Sequence, residues 1–388
     1  MRLILPVFFV MALSSCGQDP SEPVGQNKQP IINGQLCNEG DHPSAVAIML
    51  DAKAVFTEFN FDMELRTPIC TGTLIAPDVV LAAAHCVEAA LLTMGMGNVE
   101  DETYYVVFTA NLMAYSNPMA GLPPEMGGVP LEPLPADARK VKAWIANPAF
   151  DVEDLNDFPD GVNDNLNDVA LLFLETPVTD VKPAIVITPE ETAQLVEDKE
   201  VYVVGWGQQV PTVNAFAPPE PGTVGLKVCG PTFINEIGEF EMQIGGGPET
   251  TRKCHGDSGG PTYMMVETEF SEKERVVGIT SHAYDETDCE KGGADTRVDV
   301  WFEWIDEQMR AGCDDGTRSW CEVAGIISPE YYEPKPEADA GVVAGDGAES
   351  TTRRSGCGIS GESGDRGPTG LAFVLLLAAI FAARRRQR

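Results

Sequence analysis

Cys254-His255-Gly256-Asp257-Ser258-Gly259-Gly260-Pro261 is the stretch on which the reading of this sequence turns. A hydroxyl flanked by residues without side chains can stand exposed on a tight turn, and the Gly256 and Ser258 N–H groups can then aim at one point. Acyl transfer needs those two features together with a base to take the hydroxyl proton and a carboxylate to orient the base. Of the four histidines, His42, His85, His255 and His282, the best placed as base is His85. It follows the apolar run Val79–Leu81 in Leu81-Ala82-Ala83-Ala84-His85-Cys86, where small residues let a ring pack closely. Asp168, in Asn167-Asp168-Val169-Ala170-Leu171-Leu172, stands at the mouth of an apolar strand, where an acid is expected to be buried and paired.

Around these residues the chain reads as all-β. Short apolar runs such as Ser44–Leu50, Thr71–Ile75, Tyr104–Thr109, Ala170–Leu174, Val201–Val204 and Arg275–Thr280 are separated by Gly, Pro, Asn and Asp. Val298–Arg310 alone has helical spacing, with Val300, Trp301, Trp304, Ile305 and Met309, and predicts a helix packed on the β core. Residues 115–167 show little strand signal. Their part from 151 to 167 holds six acids and no Lys or Arg, which reads as a solvated surface loop.

Four blocks in order now resemble the chymotrypsin-type, trypsin-like serine proteases. They are Ile31-Ile32-Asn33-Gly34, Ala83-Ala84-His85-Cys86, Asp168-Val169-Ala170-Leu171 and Gly256-Asp257-Ser258-Gly259-Gly260-Pro261, and Val204-Gly205-Trp206-Gly207 is a fifth. The similarity spans about residues 31–311. It implies two packed six-stranded antiparallel β-barrels with a C-terminal helix and the active site between the barrels. It implies a serine-type endopeptidase with His85 as general base, Asp168 as its orienter and Ser258 as nucleophile, and an oxyanion hole from the Gly256 and Ser258 N–H groups. It also implies that activity begins with a cut before Ile31, whose freed ammonium pairs with Asp257. The implied disulfides are Cys70–Cys86, Cys254–Cys289 and Cys37–Cys229; Cys313 and Cys321, close in sequence, are paired as the remainder. The alternative is a non-catalytic binding protein on the same fold, a type that usually lacks a triad residue; all three are present here.

The sequence departs from that pattern at the specificity pocket. The resemblance places Arg252, followed by Lys253, at its base, and Ser281, His282, Ala283, Gly293 and Asp295 in its walls. Cleavage after Lys or Arg is therefore not expected. A free Arg252 would favour an acidic residue before the cut bond; an Arg252 paired with Asp295 would favour a small or neutral one. His255 and His282 are expected to line the cleft, and His42 to cap a loop.

The remaining expectations concern location and partners. A net charge of −34 repels nucleic acid, and no cofactor or metal site is expected, since no His/Cys pair has ligand spacing. Ten cysteines fit an oxidising compartment. Residues 1–15 read as a signal peptide ending at Cys16, which resembles a lipobox cysteine, and 16–30 as a pro-segment or tether. Residues 31–322 form the protease domain, 323–356 a disordered linker, and 357–388 a C-terminal sorting or membrane segment. Cys357-Gly358, the apolar run 371–383 and the closing arginines resemble the MYXO-CTERM tails; as a helix the run would rise only about 20 Å. The partners implied are protein or peptide substrates, an activating protease, and bacterial export and sorting machinery, with the bulk of the chain at the cell envelope or surface, or released. Because Lys28-Gln29-Pro30 precedes Ile31, no basic residue sits at the cut. A cut there would also separate a lipid on Cys16 from the protease domain.

Overall fold

The computed structural model describes residues 31–333 apart from 39, 58–59, 89–97, 118, 157–160, 163–164, 209–223 and 286–288. Cys16, Cys357 and the apolar run 371–383 lie outside the described residues. Among those described, no helix is long and apolar enough to cross a membrane.

Among the described residues the first strand is the two-residue β1 (Gln35–Leu36). The first barrel follows, built from β2 (Ala45–Phe56), β3 (Phe61–Ala76), β4 (Val79–Ala82), β5 (Asn98–Val107), β6 (Arg139–Ala146) and β7 (Ala170–Leu174). It closes in the order β2-β3-β4-β7-β6-β5. The second is built from β8 (Glu200–Gly205), β9 (Val228–Ile237), β10 (Glu241–Ile244), β11 (Pro261–Met265), β12 (Glu274–Ala283) and β13 (Gly293–Arg297). Its order is β9-β10-β13-β12-β11-β8, closed by β8 on β9, with β1 added at β9. All these pairs are antiparallel. Closure leaves no long open edge, so the apolar runs are buried without exposing unpaired backbone. Leu171, Leu172 and Leu174 of β7 and Val203 and Val204 of β8 are fully buried in one core.

Among the described residues two α-helices complete the fold. The short α1 (Val152–Asn156) occupies part of the acidic stretch. The long α2 (Val298–Asp314) buries Val298, Ile305 and Met309. β6 corrects the expectation of little strand over 115–167. Its Arg139, Lys140 and Lys142 mask the alternation, while Val141 is buried and the Trp144 ring meets Tyr104 edge-on at 4.8 Å between centroids.

The linker expectation is corrected as well. Residues 323–333 lie on the domain: Ile327 is buried, and Val323, Ile326 and Tyr332 pack on the core. The residues that lead from α2 into this strap are tied to the first barrel at Asp78, in the turn before β4. Asp78 Oδ1 accepts from Arg318 Nη2 at 2.8 Å, and its Oδ2 from the Ser319 and Trp320 N–H groups at 2.8 Å each. The chain joins Cys37 to Cys229, Cys70 to Cys86, Cys254 to Cys289 and Cys313 to Cys321.

Candidate active site

Three pieces of chain meet where the barrels face each other. The turn after β4 carries His85, the residues before β7 carry Asp168, and the loop before β11 carries Ser258. Asp168 is wholly buried. Its Oδ2 lies 2.8 Å from His85 Nδ1, and its Oδ1 accepts the His85 backbone N–H at 3.0 Å. The carboxylate therefore fixes both the ring and the chain that bears it. Nδ1 then carries the proton, and Nε2 is left as the basic nitrogen.

The second barrel reaches across to the same carboxylate. Ser281 Oγ donates to Asp168 Oδ2 at 2.6 Å, and Thr296 Oγ1 donates to the Asp168 carbonyl at 3.2 Å. Burial works against the charged form of Asp168, but the His85 charge and hydrogen bonds and the Ser281 hydroxyl outweigh it. Its pKa falls below the ordinary carboxylate value, so the group stays ionised where a neighbouring imidazolium would form.

The Ser258 loop is pinned against the His85 turn. Thr71 N donates to the Ser258 carbonyl at 2.8 Å. Gly259 has φ +75°, and a Cβ there would run into the Thr71 carbonyl and the Cys86 sulfur. Only glycine lets this loop approach the Cys70–Cys86 clamp so closely. Within the loop the N–H groups of Asp257, Gly259 and Gly260 are taken by the carbonyls of Cys254, Thr280 and Asp257. Those of Gly256 and Ser258 find no acceptor among the described residues. Two unused donors two residues apart, beside a half-buried Ser258, are what a developing oxyanion requires.

Asp257 is buried beneath the loop. Its Oδ1 accepts from Gly207 N at 2.8 Å and its Oδ2 from Cys254 N at 2.9 Å. Burial pushes its pKa up to about 7 despite these donors and the nearby Lys253. The Ile31 block is docked on the same barrel: Ile31 is fully buried, Ile32 bridges Arg252, and Asn33 Nδ2 donates to the Pro248 and Thr250 carbonyls.

Of the two arrangements that the sequence left open for the pocket, the one with Arg252 paired to Asp295 is not found. Asp295 does not meet Arg252: its Oδ2 lies 2.7 Å from Lys253 Nζ and 2.6 Å from Thr262 Oγ1. Arg252 instead donates through Nη1 to the Gly247 and Glu290 carbonyls at 2.9 and 3.1 Å. Ser281, expected in the pocket wall, turns its hydroxyl to Asp168. His282 is withdrawn from the cleft surface, its ring 7% exposed. Its Nδ1 donates to the Ala283 carbonyl at 2.7 Å, and its Nε2 faces Glu241 at 3.3 Å. Burial opposes a charged ring, but Glu241 raises the His282 pKa overall. Ala283 remains half-buried and Gly293 buried. His42 stacks on Tyr263 at 5.0 Å between ring centroids, and the His255 carbonyl accepts from Gln208 N at 2.8 Å.

Sequence reasoning missed Glu241 and Thr262, whose partners come from distant strands. The spacing of polar residues gave no signal for either.

Comparison with known proteins agrees with this geometry. The trypsin family model matches residues 31–115 and 137–305. The chain is 26% identical to serine protease 56 of Mus musculus, over 83% of this chain and 47% of that protein. It is 28% identical to kallikrein 1-related peptidase b27 of Mus musculus, over 77% of this chain and 96% of that one. To melanization protease 1 of Drosophila melanogaster it is 27% identical, over 62% and 58% respectively. The chain thus spans about half the length of the first and nearly all of the second. With most of the domain matched and the three candidate residues on facing barrels, the chain belongs to the trypsin family of serine endopeptidases.

Proposed function

We propose that this chain is an exported serine endopeptidase that hydrolyses peptide bonds through Ser258, His85 and Asp168. The observation that carries the reading is the buried Asp168 holding His85 by ring and backbone, beside a loop with two unused N–H donors. In the first step Ser258 Oγ attacks the peptide carbonyl carbon while His85 Nε2 takes its proton. The carbonyl electrons move to oxygen, where the Gly256 and Ser258 N–H groups hold the charge. The imidazolium, steadied by Asp168, gives its proton to the leaving amine as the C–N bond breaks. Water, deprotonated by His85, then attacks the acyl-serine and releases the acid and Ser258.

Full activity is proposed to follow a cut before Ile31. A buried Asp257 with a pKa near 7 lacks a full countercharge, and a new ammonium at Ile31 would supply one. Cleavage after Lys or Arg is disfavoured, because Arg252 brings positive charge to the pocket while the Lys253 charge is met by Asp295. The disulfides and the residues 1–15 support export. Lipid attachment at Cys16 and sorting through residues 357–388 are further proposals that rest on sequence resemblance alone.

The test is a fluorophosphonate probe applied to the protein together with N-terminal sequencing of the mature form. Labelling at Ser258 in a chain starting at Ile31 is the expected result. A folded chain starting at Ile31 that leaves Ser258 unlabelled would point to the non-catalytic alternative.

A further inference from the structure

Resting on the protease reading, we propose that His282 is a positioning residue for the triad. As an imidazolium held between Glu241 and the Ala283 carbonyl it keeps Ser281 on Asp168, and proteolysis falls as the ring gives up its proton. The ring lies between two acceptors: Nδ1 is 2.7 Å from the Ala283 carbonyl, and Nε2 is 3.3 Å from Glu241 Oε2. A neutral imidazole has a single N–H, so only the doubly protonated ring donates to both. Glu241 is 1% exposed, which leaves little water to replace a lost contact.

The strand register sets this pair beside the groups that hold Asp168. β13 lies between β12 and β10, with Ala294 opposite His282 on one side and opposite Gln243 on the other. Residues two apart along a strand share a face, so Glu241 and its register partner Thr296 stand on the face of His282. The ion pair therefore crosses β13 at Ala294, whose side chain is only a methyl group. Ser281 precedes His282 in the chain, and Thr296 is opposite Glu241. These are the two residues of the second barrel whose hydroxyls donate to Asp168, at 2.6 Å to Oδ2 and 3.2 Å to the carbonyl.

Burial works against charge on the His282 ring, but Glu241 of β10, the Ala283 carbonyl of β12 and Asp168 before β7 together raise its pKa above the ordinary histidine value. The ring also acts on Asp295 of β13, an acid already paired with Lys253. The imidazolium is thus the form held at neutral pH and lost as pH rises through the raised value. Without its proton, Nε2 turns a lone pair on a buried carboxylate. The ring must swing off Glu241 or β12 must give way, and Ser281 is the next residue along. Its short contact tolerates little displacement, and Asp168 then holds His85 less well.

The experiment reads His282 directly. The chain has four histidines, so ring-nitrogen NMR can follow each, and the signal missing from His282→Gln is that of His282. In the Ser258→Ala chain both of its nitrogens should carry protons at about pH 7, and Glu241→Gln should lower its pKa by at least about one unit. In parallel, the rate at which a fluorophosphonate labels Ser258 is followed from about pH 6 to 10 in the chain cut before Ile31. The wild-type rate should fall about tenfold or more where His282 titrates. Glu241→Gln and His282→Gln should both lose that fall, because an amide suits the remaining partner at every pH. The Ile31 ammonium titrates as well, but its effect does not depend on residue 241 or 282. A His282 ring with one proton at pH 7 overturns the inference, as does a labelling profile that neither variant changes. Should Glu241→Gln fail to fold, His282→Gln and the wild-type spectrum decide. Absence of labelling at every pH would defeat the protease reading and this inference with it, whereas labelling that ignores His282 would defeat this inference alone.

Discussion

Lys253 and Asp295 form a salt bridge of 2.7 Å whose two side chains are wholly buried. Breaking a buried pair from one side leaves an uncompensated charge, whereas replacing both partners by apolar residues removes two desolvation penalties at once. Lys253→Met or Asp295→Asn alone should destabilise the domain by about 3–5 kcal/mol. The double variant Lys253→Met/Asp295→Leu should recover most of that loss. Urea unfolding in a Ser258→Ala background measures it; singles that cost as little as the double would show that the pair is not coupled.

Ser281 makes a second prediction. Its hydroxyl helps hold the Asp168 pKa low, and a lowered carboxylate pKa stabilises the fold above the ordinary carboxylate range. That stability is lost as pH falls through the folded value. Ser281→Ala weakens the effect, so acid unfolding should begin at higher pH, with a loss of about 1–3 kcal/mol at pH 7. Melting curves from pH 3 to 7 test this. A curve that is merely displaced by the same amount at every pH would separate Ser281 from the charge on Asp168.

Asp257 has the opposite sign. Its folded pKa, about 7, lies above its unfolded value of about 3.9, so the uncut chain is favoured while the group is protonated. Stability from this group is full below about pH 4 and lost as pH rises towards 7, by on the order of 4 kcal/mol. After a cut before Ile31 the ammonium should keep Asp257 ionised and remove that loss. Comparing uncut and cut Ser258→Ala protein from pH 4 to 8 checks it. Parallel stability profiles would mean that Ile31 does not reach Asp257.

How much of this was legible in the sequence depends on how far apart the partners stand. The Ser258 loop and the His85 turn are contiguous, so small residues beside a functional side chain could be read directly. The two-barrel plan came from the resemblance carried by those blocks. Ser281 meets Asp168 across 113 residues, and Lys253 meets Asp295 across 42. Pattern gives no warning of either. Adjacent cations at 252 and 253 left open whether Arg252 pairs with Asp295, and it is the Lys253 side chain that reaches the acid. β6 escaped notice because Arg139, Lys140 and Lys142 broke its apolar alternation. The strap after α2 escaped because its Pro, Gly and acids read as solvated, although Ile327 is buried.

That strap yields the last prediction. Arg318 reaches Asp78 across 240 residues of sequence, and neither side chain is exposed. Asp78 also accepts the Ser319 and Trp320 N–H groups, so one carboxylate fixes the whole start of the strap. Asp78→Ala removes all of these acceptors and leaves a buried guanidinium with only carbonyls from Met309, Val323 and Ala324. A loss of about 3–5 kcal/mol is expected. Deleting residues 313–333 should cost at least as much, since it strands Asp78 without a partner and uncovers the apolar surface under Ile327. Asp78 lies at the end of β4 away from His85, so turnover at low temperature should persist in Asp78→Ala while its melting temperature falls. Differential scanning calorimetry beside a peptidase assay gives both readouts. Were the truncated chain as stable as the full one, the strap would be an ornament on the barrels rather than part of the fold.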